Sequence, residues 1–523
     1  MSLTLELVIL VIFFWIILLL YLAPRMAKTK HFQAYGPLLL VKIVKNRKIL
    51  DRIANRFPAI IFSRVSVIIV FISAIAAMIL LVYGAYLSLF IPPSSAPSLA
   101  LEIGLPGLNP AIPIGYGVAA LAISVVIHEM FHGIVARKHG IKVSSVGVLF
   151  LVVPMGAFVE PDEEEIQKVD PVKRRRLIAA GPGINIVLAA ITFLVLAILL
   201  MPAATPVHNG VYLQDMTKGA PATQYVSPGA ELISFGNYSG NDLSNLVILS
   251  QLNPGTLYNA SFFNGKSIQT YQLPAGIVID SVSPGTPAYN SSLQVGQTII
   301  SVDGQKIYND TTLTNLLDSI HPHSNITMVL RSYSVSSGVT IPGPIITKNI
   351  TTMSKYLYYQ QYDPSANSPA YANQSFVGIT ISYAGILGYN MSFLKQTLSG
   401  QEVFSNPWTG GLTFITLPFV YLYPISGGLA SLFTVPFYAP VFWGLVNLFY
   451  WLFWFNFLLG ITNALPILIF DGAQFFRDTL LIAGRRERLK FLSDEKVVSR
   501  ILNISSLVLI VLLLWQIIVP RII

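Results

Sequence analysis

VAALAISVVIHEMFHGIVA, residues 118–136, is the stretch on which the reading of this chain turns. The surrounding run from Ala111 to Ala136 is apolar over membrane length and carries no charge except Glu129. On a helix, His128 and His132 stand four residues apart and face the same way. Two imidazole nitrogens placed so can grip one zinc ion, with Glu129 beside them as a general base. A carboxylate at membrane depth is costly, and its presence points to function.

The rest of the chain agrees with a membrane setting. Hydrophobic residues make up 53% of it and charged residues only 11%, the profile of a polytopic membrane protein. The net charge of +9 does not indicate nucleic acid, because the basic residues cluster in short segments beside apolar runs. The partner they imply is the lipid bilayer. The absence of cysteine excludes disulfides, thiolate zinc sites and cysteine catalysis. The first apolar segment, Leu5 to Leu22, has no basic leader and no small-residue cleavage site, and reads as a retained span.

Six apolar stretches predict transmembrane helices: 4–23, 66–90, 112–136, 178–202, 440–465 and 500–519. Segment 24–65 holds ten Lys/Arg and is placed in the cytoplasm. His128 and His132 then lie near the cytoplasmic end of the third span. The loop bearing Lys173-Arg174-Arg175-Arg176 is cytoplasmic as well. Residues 206–401, with seven Lys/Arg and eight Asn-X-Ser/Thr sequons, fall outside. Their Ser/Asn/Tyr-rich composition points to a prokaryotic, archaeal cell membrane. Segment 408–437 is apolar but broken by Pro418, Pro424, Gly427, Gly428 and Pro436, which predicts a re-entrant or interfacial element.

The external region repeats. GVYLQDMTKGAPA at 210–222 aligns with GIVIDSVSPGTPA at 276–288, and GAELISFGNYSG at 229–240 with VGQTIISVDGQK at 295–306. Through Gly285, Pro287, Ala288, Gly296, Asp303 and Gly304 the second copy resembles PDZ domains, and the pair reads as two tandem PDZ-like domains. By that resemblance an extended peptide adds a strand along Gly276, Ile277 and Val278, or along Gly210, Val211 and Tyr212. The alternative is a steric plug that binds no peptide.

Two histidines leave a tetrahedral zinc short of one protein ligand. Asp471, which ends the fifth span in NALPILIFDG (463–472), lies on the same membrane side as His132 and is the candidate. Pro466 is expected to kink the span and Gly472 to let the backbone turn.

Together these residues resemble the site-2 protease family of intramembrane zinc metalloproteases. HEMFH matches its HExxH; Asn463, Pro466, Asp471 and Gly472 match its NxxPxxxxDG; Gly181-Pro182-Gly183-Ile184-Asn185, opening the fourth span, matches its GPxxN. Pro154 to Glu160 resembles the family's membrane-associated β-hairpin, although Gly156-Ala157 stands where many relatives have Gly-Gly. The resemblance implies one Zn²⁺ per chain on His128, His132 and Asp471, with Glu129 as base. It implies substrate contacts at Asn463, Gly156 and Phe158, and at Asn185, which could equally satisfy backbone freed by Pro182. It implies hydrolysis within a transmembrane helix of a protein substrate.

The expected architecture is therefore a polytopic α-helical membrane protein with a β-hairpin and an external tandem PDZ-like insertion. It divides into accessory spans 1–110, a first catalytic segment 111–203 with HExxH and GPxxN, PDZ-like domains 204–273 and 274–404, and a second catalytic segment 405–523 with NxxPxxxxDG. Two other readings stay open. A membrane-anchored HExxH peptidase acting on soluble peptides needs a cytoplasmic domain with its own third ligand. A non-enzymatic receptor or scaffold using the PDZ-like pair leaves the three motifs unexplained.

Overall fold

The computed structural model describes residues 13–22, 32–35, 38–43, 47–91, 93, 96–151, 153–244, 251–362 and 367–522. The chain forms two compact units, one of residues 1–199, 418–424 and 444–523, the other of 200–417 and 425–443.

Five helices among the described residues are long and apolar enough to cross a membrane: Ala59–Phe90, Ile114–Lys138, Pro171–Ala203, Ala439–Ala464 and Glu495–Arg521. The protein is an integral membrane protein. Of the expected first span only the short apolar helix α1 (Phe13–Leu22) is described; residues 1–12 lie outside the described set. Helix α2 (Arg47–Arg56) precedes α3 (Ala59–Leu87), α4 (Ile114–Lys138) and α5 (Pro171–Leu194). Small residues set their spacing. Helix α3 buries Ser63, Ser66, Ser73, Ala74 and Ala77, which lets backbones approach closely in lipid. A Cβ at Gly183 of α5 would lie 2.5 Å from Ser66 Oγ. Ile61, Ile68 and Ile72 of α3 are exposed, as a lipid-facing side requires.

Helix α5 begins earlier than its apolar stretch. Helix α5 starts at Pro171, where Asp170 caps it by accepting from Val172 N. Gly181 to Asn185 therefore lie well inside the helix and do not open it. The segment 24–65 is more than a basic loop. It carries β1 (Phe32–Tyr35), β2 (Leu38–Ile43) and α2. These strands join β3 (Val143–Leu151) and β4 (Val153–Pro161) in a four-stranded sheet of order β1-β2-β3-β4. The expected hairpin is thus half of a larger sheet, with β4 on its outside.

The second unit holds β5 (Val211–Met216), β6 (Glu231–Phe235), β7 (Leu257–Phe263), β8 (Ile268–Pro274), β9 (Ile277–Val282), β10 (Thr298–Val302), β11 (Asn325–Ser336), β12 (Val339–Thr351), β13 (Ile379–Tyr383) and β14 (Ile386–Asn390). They form one sheet in the order β8-β7-β6-β5-β14-β13-β9-β10-β11-β12. The repeat is visible in burial. Strands β5 and β9 share one inside-outside pattern, and β6 and β10 share another. Val211, Leu213, Leu232 and Phe235 fill one core, and Ile277, Ile279, Ile299 and Val302 fill the other.

Two expectations are corrected here. The peptide-binding edges are not free. Val211 and Tyr212 pair with Leu232 and Glu231 on one side and with Asn390 and Tyr389 on the other. Ile277 pairs with Tyr383, and Val278 lies between Ser382 and Thr298. Gly276 and Gly210 accept backbone hydrogen bonds from Ala384 and Met391. Strand addition at these positions is excluded because the hairpin β13–β14 already fills both edges. For the same reason the boundary at 273/274 does not separate two continuous domains: β14 completes the sheet of the first copy.

Candidate metal centre

Helix α4 carries His128, Glu129 and His132, and both histidines are buried, 6% and 8% exposed. Their Nε2 atoms lie 3.2 Å apart. Asp471 Oδ2 lies 3.0 Å from the first and 3.1 Å from the second. Donor atoms on a tetrahedral zinc, with bonds of about 2.0–2.1 Å, are separated by roughly 3.3 Å. The three donors therefore fit one small divalent cation.

The other side of each ring supports the same conclusion. His132 Nδ1 sits 3.0 Å from the Leu177 carbonyl oxygen, which can only accept. Nδ1 of His132 thus carries the proton and Nε2 keeps its lone pair. His128 Nδ1 lies 3.1 Å from the Asn185 carboxamide, placed with its nitrogen toward the ring. Asn185 is fully buried, and its Oδ1 has no partner in that orientation. Turning the amide over gives Oδ1 a donor and leaves His128 Nε2 unprotonated, the state a metal ligand needs. Asn185 therefore acts on His128, not on backbone near Pro182. Gly181 completes the cradle. A Cβ there would overlap His132 Nε2 and lie 2.6 Å from His128 Nε2. Only glycine lets α5 lie against the donor atoms.

Asp471 arrives by a route the sequence did not indicate. Pro466 does not kink a span. Helix α7 (Ala439–Ala464), which follows the short α6 (Pro407–Thr416), stops two residues before it. Asp471 then opens a separate helix, α8 (Asp471–Ala483). Gly472 is not in a left-handed conformation. It is required because a Cβ would overlap the Leu465 carbonyl oxygen and lie 2.5 Å from that of Ala464. Two anchors hold α8. Leu468 N donates to Ser506 Oγ of α9 (Glu495–Ile518) at 3.2 Å. Arg174 of α5 donates through Nε to both oxygens of Asp478, at 3.0 and 2.9 Å. Asp478 is 1% exposed and lies two turns beyond Asp471 on the same face. Within the basic cluster 173–176, Arg174 is thus a structural partner of α8.

Glu129 Oε2 accepts from Val159 N of β4 at 3.2 Å. Gly156 and Phe158 lie on the same outer strand, paired with Leu149 and Gly147. A Cβ on Gly147 would overlap the Phe158 ring, so the glycine seats that ring. The cavity beside the centre, about 310 Å³, has walls from the helices and the α7–α8 connection: His128, Glu129, Asn463 and Asp471 line it with Gln474. Deeper between α4 and α7, Asn456 Nδ2 donates to Ser124 Oγ at 2.8 Å, one helical turn before His128. The sequence reading missed Arg174, Asp478, Ser124, Asn456 and Gln474. For Ser124 alone a signal existed, its spacing of four from His128.

The profile of Peptidase family M50 matches residues 116–511, most of the chain and every residue of the centre. The chain belongs to peptidase family M50. This is the site-2 protease family. Among similar proteins, an uncharacterized protein of Methanocaldococcus jannaschii is 29% identical over 31% of this chain and 43% of its own length. The regulator of sigma-E protease RseP of Escherichia coli is 21% identical over 61% of this chain and 86% of its own. The membrane-bound transcription factor site-2 protease homolog of Arabidopsis thaliana is 24% identical over 32% and 34%. The chain thus spans less than half the length of the first and the last of these. The M50 match leaves out α2 and α3, although α3 packs on the α5 helix that carries Gly181 and Asn185.

Proposed function

We propose that this M50 member is an intramembrane zinc metalloprotease that cleaves a transmembrane segment of a protein substrate, in regulated intramembrane proteolysis. The observation that carries the reading is the convergence of His128, His132 and Asp471 donor atoms beside Glu129, on one cavity among membrane-length helices. His128, His132 and Asp471 would hold one zinc ion, whose contribution is that of a Lewis acid, acidifying water and polarising a carbonyl. Glu129 takes up a proton and returns it to the leaving amine. Asn185 and the Leu177 carbonyl keep the two imidazoles in the ligating tautomer.

The substrate must be extended to reach this centre, since a helical peptide bond is shielded by its own hydrogen bonds and packed side chains. Each backbone polar group left unpaired in lipid costs several kcal/mol. Strand β4, outermost in its sheet and hydrogen-bonded to Glu129, supplies a partner for the unwound segment. Residues 206–401 lie outside, the centre lies toward the cytoplasm, and cleavage falls in the cytoplasmic half of the substrate span.

The test combines metal content with turnover. Purified full-length protein should carry about one zinc per chain, reduced in His128→Ala, His132→Ala and Asp471→Ala. Glu129→Gln should keep the zinc and lose cleavage of a synthetic single-span peptide. Full metal and activity in Asp471→Ala, or loss of zinc in Glu129→Gln, overturns the assignment.

A further inference from the structure

The cavity at the metal centre carries two carboxamides that the ligand set does not use. Asn463 comes from the last turn of α7 and Gln474 from the first turn of α8. Asn463 Nδ2 donates to the Leu459 carbonyl at 3.0 Å. That carbonyl can only accept, so Asn463 must turn its Oδ1 away from its own helix. Gln474 stands one turn after Asp471. Its neighbours Gly472, Ala473, Phe475 and Asp478 are buried, while Gln474 itself is exposed. Its carboxamide has no hydrogen-bond partner among the described residues. Packing and the Arg174–Asp478 pair fix the register of α8, so Gln474 is held against the cavity with unspent hydrogen-bonding capacity.

We infer that Gln474 completes a clamp on the backbone of an extended peptide, its Nε2 donating to a substrate carbonyl opposite Asn463, whose substrate contact the family resemblance already implies and whose Oδ1 is free to accept a substrate N–H. This rests on the metalloprotease reading and adds to it a residue, Gln474, and a rule for what is bound. An extended strand offers N–H and C=O groups to both walls. A helix has already spent them internally. The clamp therefore favours segments that have unwound, whatever their side chains.

The experiment uses zinc-loaded full-length protein and two probes that both chelate the ion: acetohydroxamate, which has no peptide backbone, and a tripeptide hydroxamate. Gln474→Leu and the near-isosteric Gln474→Met should each weaken the tripeptide probe by about tenfold, the scale of one hydrogen bond left unmade. Acetohydroxamate affinity and zinc content should stay at the wild-type level. Wild-type affinity of both variants for the tripeptide probe overturns the clamp and leaves the metalloprotease reading standing. Parallel loss of acetohydroxamate or zinc shows Gln474 to be a structural prop and overturns it as well. If the wild type with zinc bound takes neither probe, the metalloprotease reading fails and the clamp fails with it.

Discussion

Gly181→Ala adds one methyl group at the point where α5 touches the metal donors, and the structure sets the size of its effect. The new Cβ would overlap His132 Nε2 and lie 2.6 Å from His128 Nε2. Non-bonded heavy atoms come to rest near about 3.5 Å, so the His128 ring must retreat by about 1 Å and His132 by more. Neither ring is free to do so. His132 is held by Leu177 O at 3.0 Å and His128 by Asn185 at 3.1 Å. Ligand distances tolerate only about 0.2 Å, so at least one imidazole leaves the ion. Loss of an orienting partner alone costs roughly 10–100-fold in metal affinity. Displacement of a ligand should cost at least the upper end of that range, about 100-fold. Overpacking should also lower stability by about 1–3 kcal/mol. The assay is zinc competition with a chelating dye in detergent, beside a thermal melt. Gly115→Ala on α4 is the control, because a Cβ there meets nothing within 4 Å; its zinc affinity and melting point should match the wild type. Wild-type zinc affinity in Gly181→Ala would refute the cradle.

Arg174→Ala leaves Asp478 buried and unpaired, so it should destabilise the protein by about 3–5 kcal/mol and lower zinc affinity through Asp471; an unchanged melt and zinc affinity would show that α8 is held otherwise. In the second unit, burial pushes the Glu231 carboxyl up to about 7 from its ordinary 4.5, against the pull of its bond from Gly210 N. A raised folded pKa means stability that is full below about pH 4.5 and lost as pH rises through about 7, on the order of 3 kcal/mol. Glu231→Gln should flatten that part of the full-length melting profile between about pH 5 and 8, and an unaltered profile would remove Glu231 as its source. For orientation, a cysteine at Ser336 should react with an impermeant reagent outside the cell and one at Asn55 should not; the reverse pattern inverts the topology and leaves the metal centre intact.

The sequence by itself determined that this is a membrane protein, that His128 and His132 face the same way on one helix with Glu129 beside them, and that residues 210–306 repeat. Each of these is a local pattern: apolar runs of membrane length, a spacing of four on one helix, two aligned turns and strands. Asp471 was also legible, as a motif residue on the same membrane side. The tertiary structure decided how Asp471 gets there. Proline ends a helix or bends it according to what the chain beyond it can pack on, and here α8 packs on α5 through the Arg174–Asp478 pair. The closed edges of β5 and β9 were illegible for a related reason. Strand pairing joins residues more than a hundred positions apart, such as Val211 with Asn390 and Ile277 with Tyr383, and no local period records such a partner. Gly181 shows the division within one residue. Its place in a motif could be read along the chain, but the reason for glycine, two imidazole nitrogens from another helix against its α-carbon, exists only once α4 and α5 have packed.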